Sequence, residues 1–443
     1  MKTRAAMACG AVLLALFAGA CDSDTGEPQA DPIGTVKKPI KLTFMAYGPD
    51  EEVAAMQSTV DQFNKEHPTT KVTLEPAKDA DEVIDRLQAK NPPDVYLLSQ
   101  RDLAEVSKQG LNQPVEELLD SRGVDFGDFY KRDAVDAFAI DRRLQCMPYG
   151  VSPMVMYYNT NLIDWEAMKE QGLDSPASHA AWTLDQFNAA AEFASNRPGA
   201  KGVYIEPTLE GIAPFVYSGG GQLFDDQRQP TTLTLSEESS RGALLRTMDI
   251  LRTDKLTLTP RQLRKESALD RFKKGKLGMI AGYRTLVPEL RKTPSLSFDV
   301  MPMPMLDTGT TVGDVSGLCI SAQPASVSAA AEFLVDTIST ESVERVAEAG
   351  YLVPSNNEVA EDKAFLQPDQ LPAHAEVFNR TVRDIVQPPL LDSWSDLEKA
   401  VHAPLYKMFY NRLLDLEDLT DAIDEASKPV LENQQEPSAT PTG

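Results

Sequence analysis

Cysteine and histidine are scarce in this chain of 443 residues, which contains four of each. Neither residue forms the closely spaced set of a structural metal site, so the sequence predicts no metal centre. Positive charge is also in deficit, with 43 lysines and arginines against 67 aspartates and glutamates. The resulting net charge of -24 disfavours binding to nucleic acid or docking on an anionic lipid surface. Because surface acid also keeps proteins soluble, this charge does not by itself indicate a cationic ligand.

Motifs of common catalytic chemistry are missing as well. The sequence contains no G-x-S-x-G nucleophile elbow and no H-E-x-x-H zinc motif. Its acidic residues form no recognisable catalytic pair, and the glycine run 219–221 lacks the Lys-Ser or Lys-Thr of a P-loop. The histidines are scattered through loop-like or surface-like stretches, at His67, His179, His374 and His402. We therefore predict a protein that is not an enzyme and needs no cofactor.

The one long apolar run lies at the N-terminus. Met1-Lys2-Thr3-Arg4 precedes an apolar stretch of about 16 residues, which fits a secretory signal and is short for a transmembrane helix. The run ends in Ala18-Gly19-Ala20-Cys21, which resembles a bacterial lipobox, although leucine is usual where Ala18 stands. The resemblance implies a signal peptide over residues 1–21 and a lipidated Cys21 that anchors the protein to the outer face of the cell membrane. An ordinary secretory signal cleaved near Ala20 is the alternative.

Polar segments flank the part of the chain that is expected to fold. Residues 22–36 are acidic and include proline and glycine, so we expect a disordered tether. Residues 434–443 are polar with two prolines, and we expect a disordered tail. Roughly 400 residues lie between these segments, enough for two lobes with a core each.

Hydrophobic periodicity in this central part alternates between strands and helices. Residues 40–47 and 94–98 fit strands, and residues 51–66 fit an amphipathic helix with Asp50 as its N-cap. Such alternation predicts a doubly wound, mostly parallel sheet. Further along, the sequence predicts strands at 154–158 and 277–281, a helix that opens at Thr183, and C-terminal helices with apolar stripes from Leu397 to Met408 and from Leu419 to Val430.

A series of short segments resembles, in order, the motifs of one protein family. They are Lys41-Leu42-Thr43-Phe44, Phe63-Asn64 before His67-Pro68, Pro93-Asp94-Val95, Met147-Pro148-Tyr149-Gly150, Tyr157-Tyr158-Asn159-Thr160-Asn161-Leu162, Trp182-Thr183-Leu184-Asp185-Gln186-Phe187, Phe272-Lys273-Lys274-Gly275-Lys276-Leu277-Gly278-Met279, Asp299-Val300 with Pro302-Met303-Pro304, and Gly350-Tyr351-Leu352-Val353-Pro354. The family is that of the extracellular solute-binding proteins of bacterial ABC importers, the group that holds the maltose-binding and other sugar-binding proteins. Each motif is weak alone, but their common order makes the resemblance specific.

This resemblance implies an α/β fold of two lobes, the type II periplasmic-binding-protein fold, in which hinge strands let the lobes close over a solute. The first lobe would take residues 37–148 and 311–374, and the second would take 149–310 and the C-terminal helices 375–433. The implied function is that of a monomeric, extracytoplasmic protein that captures a small solute, a sugar by preference, for the permease subunits of an ABC transporter. A sensory or structural lipoprotein of the same fold, or an anchored hydrolase, remains the alternative.

Candidate ligand contacts are residues that offer a sugar flat apolar faces or hydrogen-bonding groups. Tyr47, Gly48 and Gln100 follow predicted strands, where ligands of such sheets bind. Tyr149 follows the hinge proline and fits a ligand contact or a core position equally. Tyr217 is a stacking candidate. Gly219 and Gly220 suit close backbone approach, or a plain turn.

Five more candidates come from positions that the family implies for its cleft. Tyr283-Arg284 stands where family members often have tryptophan, so Arg284 allows an acidic or phosphorylated ligand, unless it pairs with a nearby acid. Asp314 and Ser316 lie on the strand expected to return to the first lobe. Trp394 precedes a helix that reaches the cleft in the family, and a hydrophobic staple is its alternative role.

Cys146 and Cys319 are the cysteines that remain after export and lipidation. In the resembled fold their segments are neighbouring strands at the lobe junction, which implies alpha carbons within roughly 7 Å and allows a disulfide. An oxidising compartment favours that bond. Two buried free thiols are the alternative.

Overall fold

The computed structural model describes residues 31–127, 129–391 and 394–433. Its strands are β1 Ile40–Tyr47, β2 Thr70–Ala77, β3 Val95–Ser99, β4 Asn112–Gln113, β5 Ala139–Ile140, β6 Arg143–Leu144, β7 Met147–Pro153, β8 Val155–Asn159, β9 Lys201–Tyr204, β10 Leu277–Gly282, β11 Phe298–Met301 and β12 Gly313–Ser321. Its helices are α1 Asp50–Glu66, α2 Ala80–Leu87, α3 Leu103–Lys108, α4 Glu116–Asp120, α5 Arg132–Ala137, α6 Trp165–Glu170, α7 Leu184–Ser195, α8 Leu209–Ser218, α9 Glu238–Leu251, α10 Pro260–Leu263, α11 Ala268–Lys273, α12 Val287–Arg291, α13 Val327–Thr337, α14 Thr340–Ala347, α15 Lys363–Leu366, α16 Glu376–Thr381, α17 Trp394–Tyr410 and α18 Leu416–Asn433. Short 3-10 helices lie at Gln100–Asp102, Arg284–Leu286, Val359–Glu361 and Val382–Asp384.

The first sheet has the strand order β2-β1-β3-β12-β4, and β7 also pairs with β12. β1 lies between its two parallel partners β2 and β3, so the chain order reverses beside β1. α1 forms because apolar residues recur on one face, and Met56, Val60 and Phe63 are buried there. This face packs the helix on the sheet and fixes the carboxyl end of β1 at the sheet edge.

The second sheet has the order β11-β8-β10-β9 and lies in the other lobe. The two-lobed α/β architecture is confirmed, but the pairing is more mixed than the predicted, mostly parallel arrangement. β12 runs antiparallel to β3, β4 and β7, and β8 runs antiparallel to β10 and β11. β8 and β12 carry the chain from one lobe to the other. Each enters its sheet from the end opposite to that of its neighbours, so it runs antiparallel to them.

The crossing from the first lobe to the second lies later than the predicted boundary at residue 148. β7 stays paired with β12 as far as Pro153, and β8 begins the second sheet at Val155. β7 therefore belongs to the first sheet for its full length. Periodicity could not mark the crossing, because both strands are nearly continuous runs of buried residues.

The end of the predicted tether is attached to the first lobe. The Asp31 carboxylate accepts hydrogen bonds from the backbone N–H groups of Val327 and Ser328, at 3.0 and 2.9 Å, and from the Ser326 hydroxyl at 3.0 Å. These donors form the first turn of α13, where a negative charge is stabilised. The tether prediction is therefore wrong for Asp31, which is attached to α13, whereas Ile33 and Val36 are 93% and 70% exposed. The signal peptide, Cys21, the rest of the tether and the tail lie outside the described residues.

Two hydrophobic clusters stabilise the lobes. One includes Phe44, Phe63 and Phe333 in the first lobe, and the other includes Trp182, Phe187 and Phe215 in the second. Over residues 31–127, 129–391 and 394–433, no helix has the length and apolar content needed to cross a bilayer.

Candidate ligand cleft

The cleft lies where three strand ends meet. Tyr47 ends β1, Ser99 ends β3, and Asp314 is near the start of the antiparallel β12, so all three lie at one edge of the first sheet. Ser316 pairs with Ser99 across β12 and β3. This edge is the switch point beside β1, where ligands of doubly wound sheets bind.

An ion pair joins the two lobes across the cleft. Arg101, in the 3-10 helix that follows β3, contacts the carboxylate of Glu210 in the first turn of α8. Tyr283, at the end of β10, donates its hydroxyl to the same carboxylate oxygen. Burial disfavours the charged Arg101, but Glu210, Tyr283 and Asp314 outweigh it and raise the pKa of the guanidinium. The cleft thus holds a cation fixed among oxygen atoms, which suits the hydroxyl groups of a polar solute.

One wall of the cleft is aromatic. The half-buried Trp394 begins α17, and its ring packs edge-on against Phe224 with centroids 5.8 Å apart. Tyr217 from α8 lines the same wall. The guanidinium carbon of Arg101 lies 5.6 Å from the centre of the Trp394 ring. The indole N–H of Trp394 is buried and has no hydrogen-bond partner within the part of the chain that the structure describes.

A second part of the cleft lies beside Tyr47, Gly48, Asp314 and Ser316, which line it together with Glu52. Burial, and then the nearby Asp314, raises the pKa of Glu52 to about 7. Asp314 is open to solvent, yet the surrounding protein displaces much of its hydration and raises the pKa of its carboxyl. Arg101 opposes that rise. The Glu52 carboxyl can therefore accept or donate hydrogen bonds near neutral pH.

Most of the sequence-predicted residues gather here, but five lie elsewhere. Gln100 is buried at the start of its 3-10 helix, with 5% of its surface exposed. Tyr149 packs in the first core, the alternative weighed for it above. At Gly219 an added Cβ would lie 2.4 Å from the Cβ of Ala243, so this glycine lets α8 approach α9, and Gly220 simply turns the chain with a φ of 79°.

The side chain of Arg284 also points away from the cleft, although its backbone N–H faces the Ser152 hydroxyl at 3.4 Å. Its side chain is fully buried between lobes, donates to the backbone oxygen of Phe365 at 2.5 Å, and stacks 4.1 Å from the Phe365 ring. Over residues 31–127, 129–391 and 394–433, no acid forms an ion pair with it. In this position Arg284 gives no support to the acidic or phosphorylated ligand that it was expected to allow.

Sequence reasoning missed several residues that line the cleft. Among them are Arg101, Glu210, Phe224, Glu398 and Glu52. Arg101 was within reach, because it directly follows Gln100 at the predicted switch point. No sequence signal distinguishes Glu210 or Glu398 from the many other acids of this chain.

Two lobes of mixed sheets around a polar and aromatic cleft define a solute-binding class of protein. The chain matches the family model for bacterial extracellular solute-binding proteins over residues 58–373. It belongs to that family, which places it outside the cytoplasm. Among curated proteins, none is a significant sequence match.

Solved structures of the same fold include several sugar-binding proteins. An ABC substrate-binding protein from Listeria monocytogenes in complex with cycloalternan has a TM-score of 0.75 and 18% identity, covering 88% of this chain and 99% of its own. The GacH receptor of Streptomyces glaucescens, solved with acarbose, has a TM-score of 0.70 and 18% identity, covering 89% and 99%. A cyclic α-maltosyl-1,6-maltose binding protein from Arthrobacter globiformis has a TM-score of 0.71 and 18% identity, covering 89% and 100%.

Proposed function

We propose that the protein captures a carbohydrate outside the cytoplasm and delivers it to the permease of an ABC importer. The observation that carries this proposal is the pairing of an aromatic wall at Trp394 with the polar groups of Arg101, Glu210 and Asp314 in one cleft. Sugars present C–H faces that pack on aromatic rings and hydroxyl groups that need fixed partners. The solved neighbours with cycloalternan, acarbose and a cyclic maltosyl-maltose make α-linked oligosaccharides the first ligands to test.

Calorimetric titration with cycloalternan and linear maltodextrins tests the proposal. We expect saturable one-to-one binding to at least one of these saccharides, and a loss of about tenfold or more in affinity for Trp394→Ala, since 1.4 kcal/mol corresponds to tenfold. Tyr406→Ala is the matched control, because Tyr406 lies on the same helix α17 and is exposed away from the cleft residues. Binding only to non-carbohydrate solutes in a broad screen contradicts the proposal.

A binding role without turnover is part of the same proposal. The family and the solved neighbours are binding proteins, which supports it. Incubation with each saccharide that binds, followed by chromatography, should return the saccharide unchanged. Release of shorter sugars by the purified protein, lost on Glu210→Gln, would favour the anchored hydrolase instead.

We further propose that the protein is a monomer held at the cell surface by lipid on Cys21. The support is the lipobox-like end of the N-terminal apolar run and the acidic stretch after it. Cys21→Ala should release the protein into the medium, because one lipid attachment then no longer holds it to the bilayer. A variant that stays with washed membranes places the anchor elsewhere.

A further inference from the structure

Two histidines and an aspartate come together in the second lobe, apart from the ligand cleft. His179, Asp299 and His374 present one ligand atom each, and all three atoms lie within 4.8 Å of one another. The residues are far apart in the sequence, with 75 positions between Asp299 and His374. For this reason the spacing rules that predicted no metal centre could not detect the group.

The Asp299 carboxylate is the centre of this cluster. Asp299 is 5% exposed, and its Oδ1 accepts hydrogen bonds from the backbone N–H groups of Val300 and His374, at 2.9 and 3.1 Å. Its Oδ2 lies 2.6 Å from Nδ1 of His374 and 3.8 Å from Nε2 of His179. Within the described residues, no lysine or arginine forms an ion pair with Asp299. A buried carboxylate whose ion-pair partners are imidazoles alone can accept a cation as a further partner.

The two imidazoles lie face to face beside the Asp299 carboxylate. Their rings stack with centroids 3.5 Å apart and planes 10° apart, so protonating both at once would bring two positive charges into contact. Nε2 of His179 lies within hydrogen-bond distance of the Tyr158 hydroxyl, at 2.8 Å. Neutral imidazole and ionised carboxylate are the forms that bind metal ions.

We propose that His179, Asp299 and His374 form a binding site for a divalent transition metal such as Zn²⁺. Two imidazoles and one carboxylate are a ligand set that such ions take, with a remaining position for solvent. Stacked rings direct their lone pairs in parallel, so one ring must turn before both can reach one ion. His374 is suited to turn, because its side chain is 40% exposed.

The ion would connect two separate parts of the second lobe. Asp299 belongs to β11, at the edge of the second sheet, whereas His374 lies just before α16 on the segment that returns from the first lobe. The hydrogen bond between His374 and Asp299 would give way to shared coordination. The metal would thus hold the return segment against the second sheet. Because the ion would bind the native state and not the unfolded state, it would stabilise the fold.

Titration of the full chain with Co²⁺, without a histidine tag, tests the site by visible absorption. We expect one Co²⁺ per chain with a band that Zn²⁺ abolishes by displacement, and a higher melting temperature with Zn²⁺. His374→Ala and His179→Gln should each weaken binding by more than about tenfold, since even loss of an outer partner of a ligand costs 10- to 100-fold.

The matched control is His67→Gln, in a second group made by Glu66, His67 and Asp336. This variant should bind Co²⁺ as the wild type does. Melting curves without metal confirm that each variant is folded. The proposal is overturned by three results: no stoichiometric binding by the wild type, unchanged binding in both His374→Ala and His179→Gln, or loss of binding in His67→Gln alone.

Discussion

Arg101 and Arg284 show that neighbouring residues decide the direction in which a side chain points. Both were close to predicted strand ends, where a ligand contact is expected. Arg101 reaches across the cleft to Glu210, whereas Arg284 turns into the protein and stacks on Phe365. Burial lowers the pKa of Arg284 to about 9. The sequence predicts that a residue follows a strand, but the side chain's direction depends on packing partners such as Phe365, which lies 81 positions away.

Trp394 and Tyr149 were predicted by the same reasoning with different results. Trp394 lines the cleft, and Tyr149 is buried in the first core. An aromatic residue near a hinge or helix start fits either position, because its apolar body packs equally well in a core or beside a ligand. The placement of the other lobe decides whether such a residue lies in the core or beside a ligand, and no local sequence pattern predicts that placement.

Glu52 gives the first prediction, a pH dependence of stability. Its pKa is raised from 4.5 to about 7 in the folded protein. Between these pH values the native carboxyl keeps a proton that the unfolded carboxyl has released, so Glu52 makes the native state less stable as pH rises. Relative to the wild type, Glu52→Gln should gain stability over this range, by up to about 3 kcal/mol at pH 7 and above.

Urea unfolding at a series of pH values measures this difference. Glu117→Gln is the control, since Glu117 is an exposed glutamate of α4. A difference between Glu52→Gln and the wild type that stays constant from pH 4 to 8 would show that the Glu52 carboxyl is ionised normally.

At the scale of elements, local signals predicted helices and strands well. The capping box of Thr183 and Gln186 forms at the start of α7, where the sequence predicted a helix to open. At α1, by contrast, Asp50 is the first helical residue and makes no capping bond, and Pro49 is the N-cap. Short-range chemistry fixes where an element lies, and the exact boundary depends on how the preceding strand ends.

Strand pairing was harder to predict from the sequence than the strands themselves, because paired strands come from distant parts of the chain. β7 and β12 are neighbours in the first sheet although more than 150 residues separate them in the sequence. The family resemblance, not periodicity, implied that Cys146 and Cys319 would be adjacent. In the structure the two cysteines are bonded, with alpha carbons 4.4 Å apart.

The disulfide carries the second prediction. The bond closes a loop with a sequence separation of 173, so the chain-entropy account gives a stabilisation of up to about 5 kcal/mol. Reductant should therefore lower the melting temperature of the wild type. The double variant Cys146→Ala, Cys319→Ala should melt lower and show no response to reductant.

Mass spectrometry of an unreduced tryptic digest should find the two cysteine peptides linked. Complete alkylation of both thiols after denaturation, with no reductant added, would show that the exported protein keeps them free.

At the scale of the whole molecule, contacts between the lobes indicate how closure is held. Arg101 of the first lobe meets Glu210 of the second beside the aromatic wall. On the other side of the cleft, Lys292, which follows α12, meets Glu51 of α1 at 2.5 Å. The Lys292–Glu51 pair is exposed and contributes little, whereas the Arg101–Glu210 pair is partly buried. A bound solute that contacts both lobes can shift the balance between open and closed forms.

The last prediction concerns this balance between open and closed lobes. Solution scattering should show a smaller radius of gyration when a saccharide saturates the wild type, because ligand contacts with both lobes favour the closed form. Glu210→Ala removes the link to Arg101, so without ligand it should have a larger radius than the wild type. Asp307→Asn is the matched control, since Asp307 pairs with Arg246 at 2.9 Å inside the second lobe and its loss leaves the cleft intact. A radius that is the same in the free wild type, the saturated wild type and Glu210→Ala would mean that the lobes do not move, and the cleft would then bind its solute as a fixed site.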